Sequence, residues 1–600
     1  MVLPYERIFT LMTTNTTYHI AIIGAGPRGL SGLEQLCLQY SGLNTTQTSY
    51  LGPDHVHLTL FNDKETLGPG TPWEIDQTPH NWLNISDRAL ENLEGRVAMH
   101  WGDLHIPSFP SYIDWCDKHD YRTYTNARDY FPSRSQMGQY LKARFKSIAL
   151  PLKDYGVLKV ITQKVIEVKT ERNFLSIKTT SGQIDTLFHE SVLTIGHQPT
   201  TDSPQIKKWK AHSKTTAAIL IDNCYRKDLR STIGSAIGIR GMGLAMIDVV
   251  RLLAHANHNY FTAASPVGPF LKYHIKNRSF EHIVLFSLDG FPPAPKPVGK
   301  RIDRKFAPSK KQRKAFKKEI KSHLDYASEQ HSPNFLVEAF AKIAAAIYQS
   351  LSNEVGYTFD QETQLQKVIK DQVNNKNFKH EACINRSLPK IDYLKRLCLM
   401  AFGKAPFSLD YVVGQVWRHL QPDMYRLFAH TGLPDATMDK IVAIDEGTKA
   451  YSYGPPVKSV LQLIAMMESG ILRLDVSSNP DIKTIPQGWQ LSNSTTTYKV
   501  DTMINTVLDK PKLEAITAPI LTNLLKDDVI CPVSSDLGVA TKANALIESK
   551  DASFTAGLAM LGRNCKGSVL GVDAILECFS PEIAHWATGV LTRHLAYIDS

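Results

Sequence analysis

The chain has 600 residues, 43% hydrophobic and 21% charged, an ordinary globular composition too long for a single core, so two or three domains are expected. Its net charge of +10 is local: residues 296–321 hold twelve Lys and Arg against Asp303 and Glu319, and the remainder is neutral, which excludes a uniformly basic protein. No apolar run reaches the roughly 18 residues of a membrane span, and no basic-then-apolar leader opens the chain, which argues against membrane insertion and secretion.

Residues 1–16 read as a loose tail. The run Tyr18–Ile23 (YHIAII) is apolar and rich in β-formers, as a buried parallel strand should be. Gly24-Ala25-Gly26-Pro27-Arg28-Gly29 follows at once, and Leu30, Leu33, Leu36 and Cys37 then recur at helical spacing. A GxGxxG between a strand and a helix is the context of a dinucleotide turn: Gly24 permits the tight turn, Gly26 admits a pyrophosphate, and Gly29 lets the helix pack on the strand. The helix N-terminus offers unpaired N–H groups to the phosphates, with Arg28 placed to lean on them or on a neighbouring domain. The second strand, His57–Phe61, ends in Asn62-Asp63 where an acid would bond the adenosine ribose, so that acid is either replaced by Asn62 or displaced to Asp63.

Val192–Pro199 reads as a strand leaving the first domain, with Gly196 allowing close approach to a cofactor. Residues 235–240 form a further strand, followed by Gly241-Met242-Gly243 and a helix, a second GxG turn with Met246 in place of the third glycine. Its next strand, His282–Phe286, ends Ser287-Leu288-Asp289-Gly290. The basic segment 296–321 reads as a solvated helix surface or as a nucleic-acid arm; the first is favoured because no aromatic platform interleaves the charges. Helical stripes (Phe316, Ile320, Leu324; then Phe335, Phe340, Ile343, Ile347) and a helical 390–430 make the middle of the chain α-helical. The C-terminal third alternates strand-like pieces (Ile471 to Val476, Tyr498 to Val500) with helices. The eight cysteines show no CxxC or metal spacing, which points to reduced thiols in a cytoplasmic protein and to no metal site.

This order of motifs resembles the two-dinucleotide FAD/NAD(P)-binding oxidoreductases. It is most similar to those grouped with the HpyO-type urate hydroxylases and the aspartate N-monooxygenases that make nitrosuccinate. The resemblance covers nearly the whole chain. The opening IIGAGPRGLSGLEQL is similar to the family's GPRGL helix. Gly68-Pro69-Gly70-Thr71-Pro72-Trp73, with Gln77 and Leu83-Asn84, looks like the stretch facing the flavin. Phe131-Pro132-Ser133-Arg134 with Gly138-Gln139-Tyr140-Leu141 matches its PxR…GxYL signature. Gly454–Val457 and Leu561-Gly562-Arg563…Gly571-Val572-Asp573 recur there, the latter closing over the FAD. The chain departs from the pattern at Leu288, where the family often has an arginine for the 2′-phosphate of NADPH, and at Asp289, which would repel that phosphate and suits a ribose hydroxyl. Lys296 and Lys300 are candidates to restore it, so NADPH and NADH both stay open.

The resemblance implies an α/β fold with two Rossmann-like domains and a helical insert. The expected limits are 17–215 (FAD-binding, first part), 216–300 (NAD(P)-binding), 301–445 (insert) and 446–600 (completing a discontinuous FAD domain). It also implies that NAD(P)H reduces FAD. A flavin hydroperoxide formed with molecular oxygen then hydroxylates a small nitrogen-containing substrate, an amino acid or a purine. Arg134 is the candidate to grip a phosphate or a substrate carboxylate, and Asp573 the candidate for the ribityl chain. Trp73 and Trp82 cover the flavin or fill a core. The alternative is a non-catalytic FAD/NAD(P)-binding sensor or interaction protein, motivated by Asn62 and by Leu288-Asp289.

Overall fold

The computed structural model describes residues 17–43, 51–121, 129–171, 173–551, 554 and 556–599; the expected tail at 1–16 lies outside them. The strands of the two main sheets are, in chain order, β1 (Tyr18–Ile23), β2 (Val56–Asn62), β3 (Leu158–Thr162), β4 (Glu190–Leu193), β5 (Ile219–Ile221), β6 (Ala236–Arg240), β7 (His282–Phe286), β8 (Leu472–Arg473), β9 (Thr502–Asn505) and β10 (Gly557–Met560). The helices used below are α1 (Pro27–Ser41), α2 (Arg134–Asp154), α3 (Leu244–Ala254), α4 (Lys310–Leu324), α5 (Asn334–Ser350), α6 (Lys390–Ala401), α7 (Leu409–Leu427), α8 (Asp435–Ser452), α9 (Val457–Glu468) and α10 (Pro581–Asp599).

The first sheet has the order β10-β4-β1-β2-β3 and the second β5-β9-β6-β7-β8, with every pairing parallel. Parallel strands need both faces covered, which is why β1 and β6 read as continuous apolar runs. The strand period of two divides them between layers. Ile20 and Ile22 pack with Leu30, Leu33 and Leu36 of α1, while Ala21 and Ile23 join Leu175 and Leu521 on the opposite face. In the second sheet Ile237 and Ile239 meet Val249 and Val250 of α3, and Val284 and Phe286 face Trp489.

The first domain is discontinuous, since β10 pairs with β4 from the far end of the chain. Helix α10 lies on α1, with the fully buried Trp586 against Gly32, where a Cβ would stand 3.2 Å from the ring. The second domain is discontinuous too, which the sequence reading did not anticipate. Residues 446–600 do not act as one piece: β8 and β9 complete the second sheet, and β10 and α10 complete the first. The expected strand Ile471 to Val476 shortens to Leu472–Arg473, and the piece at Tyr498 lies in a separate three-stranded antiparallel sheet.

Helices α4 to α8 form the helical region around Phe340 and Trp417, whose rings are 4.8 Å apart. Helix α4 buries only Phe316 and Ile320, so most of its basic side chains lie on a solvated face; Arg313 pairs with Asp423 of α7 at 2.7 Å. Among the described residues no helix is long and apolar enough to cross a membrane.

Candidate functional site: two glycine turns on one cavity

The first turn joins β1 to α1. Gly24 has φ +107°, its N–H donates to Phe61 O at 2.8 Å, and a Cβ there would stand 2.5 Å from Thr194 O. Gly29 is needed for close packing, because its Cβ would fall 2.0 Å from Gly24 O. Gly26 differs from both. Its backbone is extended (φ −75°), and the nearest protein atom to an added Cβ is 3.6 Å away. Nothing in the protein demands glycine at this position, whereas a pyrophosphate crossing the turn does.

The second turn repeats this arrangement. Gly241 has φ +100° and donates to Phe286 O at 2.8 Å. Gly243 has φ −84°, with no atom within 4 Å of an added Cβ. Both helices that follow lack a side-chain N-cap bond and have no acidic residue in the first turn. Their first N–H groups and positive dipole ends are therefore free for an anion. Met246, where a third glycine was looked for, is fully buried in the second core.

A hydroxyl braces each turn from the neighbouring strand. Thr194, just past β4, donates to Gly24 O at 2.6 Å, and Thr506, just past β9, donates to Gly241 O at 3.1 Å. The sequence reading missed this pair. Thr194 is visible beside Gly196, but Thr506 lies in the segment 446–600 that was expected to complete the other domain.

Both turns open on one cavity of about 2070 Å³, larger than the roughly 300–1,000 Å³ typical of a single small-molecule pocket. Its lining carries thirteen Lys and Arg against eight Asp and Glu, a net of +5, which suits polyanionic ligands. It includes Gly24, Gly26, Arg28, Asp63, Gly70, Gln77, Asn84, Arg134, Gly196, Gly241, Gly243, Ser287, Asp289, Arg563 and Asp573, so residues scattered over the whole chain converge there.

Several of these are committed differently from what the sequence led us to expect. Asn62 accepts from Ala25 N at 3.1 Å and donates to Lys64 O at 2.6 Å; it holds the turn, and Asp63 lies exposed beside it on the cavity wall. Arg28 donates to Val572 O at 2.7 Å and so ties the C-terminal segment to the first turn. Gln77 bridges Glu74 O (3.0 Å) and the Asn81 amide (3.0 Å), which shapes the loop leading to Asn84. Trp73 lines the cavity. Trp82 does not; it lies under the guanidinium of Arg251, 3.1 Å from its ring centroid.

Arg134, expected to grip a ligand, donates to Asp248 Oδ2 of α3 at 2.7 Å, and Tyr225 donates to the same oxygen at 3.0 Å. Burial pushes the Asp248 carboxyl up, against the pull of Arg134 and Arg251. The anion that Arg134 was expected to find in a ligand is thus supplied by the other domain. Asp573 is likewise paired, with Lys449 at 3.1 Å and with Arg563; these cations hold it well below the usual carboxylate range despite burial. Lys296 donates to Asn84 O and is not among the residues that line the cavity. Burial and the like charge of Arg418 pull its ammonium down to about 7. Lys300 is exposed at the start of a short helix and does not line the cavity.

The FAD-NAD(P)-binding family model matches residues 21–198, which run from β1 through the first turn to Gly196. Over 574 residues, covering 87% of this chain and 83% of the relative, the sequence is 23% identical to nitrosuccinic acid synthase npaA of Aspergillus oryzae (strain ATCC 42149 / RIB 40). Similar solved structures include OTEMO in complex with FAD and NADP (TM-score 0.42, 10% identity, 98% of this chain and 85% of that one). Another is ε-caprolactone-bound cyclohexanone monooxygenase (TM-score 0.45, 12% identity, 97% and 88%). Residues 21–198 therefore match an FAD-NAD(P)-binding region, and the chain as a whole is similar to a nitrosuccinic acid synthase.

Proposed function

We propose that the chain is an FAD-dependent, NAD(P)H-using monooxygenase that oxidises the nitrogen of a small amino acid. The observation carrying this reading is the pair of turns on one cavity, each with a middle glycine that only a ligand requires and an uncapped helix behind it. The similarity to a nitrosuccinic acid synthase favours an amino acid over a purine.

In this reading the first turn and α1 hold the FAD pyrophosphate, Asp63 the adenosine ribose, and Gly70 and Asn84 face the flavin. The second turn and α3 hold the nicotinamide dinucleotide. FAD, when bound, supplies hydride acceptance and oxygen chemistry. The protein's contribution is position and shelter. Lys296 Nζ fixes the Asn84 carbonyl, Arg134 and Asp248 set one domain against the other, and the helical region with Tyr453 and Lys449 closes the far wall. The positive lining suits a carboxylate-bearing substrate as well as two dinucleotides. The eight free thiols fit a reducing, cytoplasmic setting.

The test is anaerobic reduction of the purified protein by NADPH and by NADH, followed by oxygen with candidate amino acids. Yellow protein that bleaches with a nicotinamide and yields an N-oxidised product is expected. Colourless protein that cannot be reconstituted with FAD would overturn the reading. Bleaching without product from any amino acid would remove the substrate assignment alone.

A further inference from the structure

The whole net charge of the chain, +10, sits on residues 296–321, and none of them lines the cavity. Helix α4 carries most of it. The helix opens on Ser309, whose hydroxyl accepts from Gln312 N at 3.2 Å while Gln312 Oε1 accepts from Ser309 N at 2.8 Å. Phe316 and Ile320 pin it to the helical core. On its outer side Lys311, Lys314, Lys318 and Lys321 form one exposed row about 15 Å long, with Lys310 and Lys317 exposed along its edge. Lys300, Arg301 and Arg304, just before α4, are exposed as well. Both acids of the segment are committed elsewhere: Asp303 is buried against Arg88 and Arg418, and Glu319 pairs with Lys342 at 2.7 Å. Asp423 takes Arg313, with Lys317 at 3.9 Å. Among the described residues no carboxylate lies within ion-pair distance of Lys310, Lys311, Lys314, Lys318 or Lys321. Beyond the helix the exposed Asp325 and Glu329 close the patch, and Tyr326 between them is 64% exposed.

Folding does not account for this row. Lys310, Lys311 and Arg313 stand in the first turn, at the positive end of the helix dipole, with no acid there to offset them. Lys310 and Lys314, Lys314 and Lys318, and Lys317 and Lys321 are like charges four residues apart, which repel. An external anion relieves both. The row holds no aromatic side chain on which a base could stack and no exposed amide to read a base edge. All six of its charges are lysines, point charges without the arginine fork that grips one phosphate. Such an array suits a surface whose anions are many and mobile, and the exposed Tyr326 at its end is a ring of the kind that favours a headgroup layer. We propose that the outer face of α4 docks the chain on an anionic lipid surface, a bilayer leaflet rich in acidic headgroups. The chain adsorbs by charge and does not insert, because Phe316 and Ile320 are committed to the core.

Sedimentation of the full-length protein with phosphatidylcholine vesicles, with and without about 30% phosphatidylserine, tests this. Binding is expected on the acidic vesicles only, and it falls by about tenfold or more between roughly 50 and 300 mM salt as the screening length shrinks. K311Q/K314Q/K318Q/K321Q is expected to weaken it by about fivefold per lysine, on the order of several hundredfold in all. The same four positions changed to arginine keep the charge and the binding. The row is solvated, so the glutamine variant is expected to melt with the wild type; should it fail to fold, the lipid and salt dependence of the wild type carries the test. Failure of the wild type to bind acidic vesicles at low salt, equal binding to neutral ones, or full binding by a folded glutamine variant overturns the proposal. Salt-sensitive binding to duplex RNA or DNA with none to vesicles overturns it too and assigns the row to nucleic acid.

Discussion

Arg134 at the N-terminus of α2 and Asp248 on α3 are 114 positions apart and joined by a 2.7 Å charge-assisted hydrogen bond. The bond links the first dinucleotide domain to the helix behind the second turn. Removing one partner leaves the other buried without its counter-charge, so R134A is expected to destabilise the protein by about 3 kcal/mol. The double variant R134A/D248A should cost less than the sum of the two single changes. Denaturant midpoints of the four proteins measure this coupling; strict additivity would show that the pair acts independently.

The two middle glycines test the proposed assignment of FAD to the first turn and of the nicotinamide dinucleotide to the second. G26A places a Cβ in open cavity, 3.6 Å from the nearest protein atom. It is expected to leave stability within about 1 kcal/mol and to yield colourless protein. G243A is expected to stay yellow and to lose reduction by NAD(P)H. G29A, with a Cβ 2.0 Å from Gly24 O, is expected to fail at folding. Flavin absorbance per protein and a thermal melt distinguish the three.

The threonine braces predict a milder, local effect. T194V and T506V each remove a hydroxyl bond to the first glycine carbonyl of a turn, a loss of about 1 kcal/mol. T194V should loosen FAD and leave nicotinamide binding unchanged, and T506V the reverse. Dissociation constants for both ligands on both variants check the assignment.

Lys296 gives a pH signature. Its ammonium is held down to about 7 by burial and Arg418, whereas a lysine in the unfolded chain titrates near 10.4. Between those values the unfolded chain binds more protons, so stability rises with pH from about 7 to about 10. K296M removes this contribution and is expected to flatten the wild-type profile over that range. An unchanged slope in urea midpoints at pH 7, 8.5 and 10 would show that Lys296 is not the group responsible.

The sequence by itself determined the local devices. An apolar run followed by glycines at fixed offsets and a helical stripe specifies strand, turn and helix through contacts a few residues apart. β1, α1, β6 and α3 were legible for that reason, as was the stripe of α4 and α5. Tertiary structure decided what each polar side chain does. Asn62 turns back to Ala25, Arg134 finds Asp248, and Asp573 finds Lys449, all through pairings tens to hundreds of residues apart for which spacing along the chain carries no signal. It also decided that β8 and β9 leave the C-terminal third to complete the second sheet. A short apolar strand fits either parallel sheet by composition, and only the order in which strands hydrogen-bond assigns it to one.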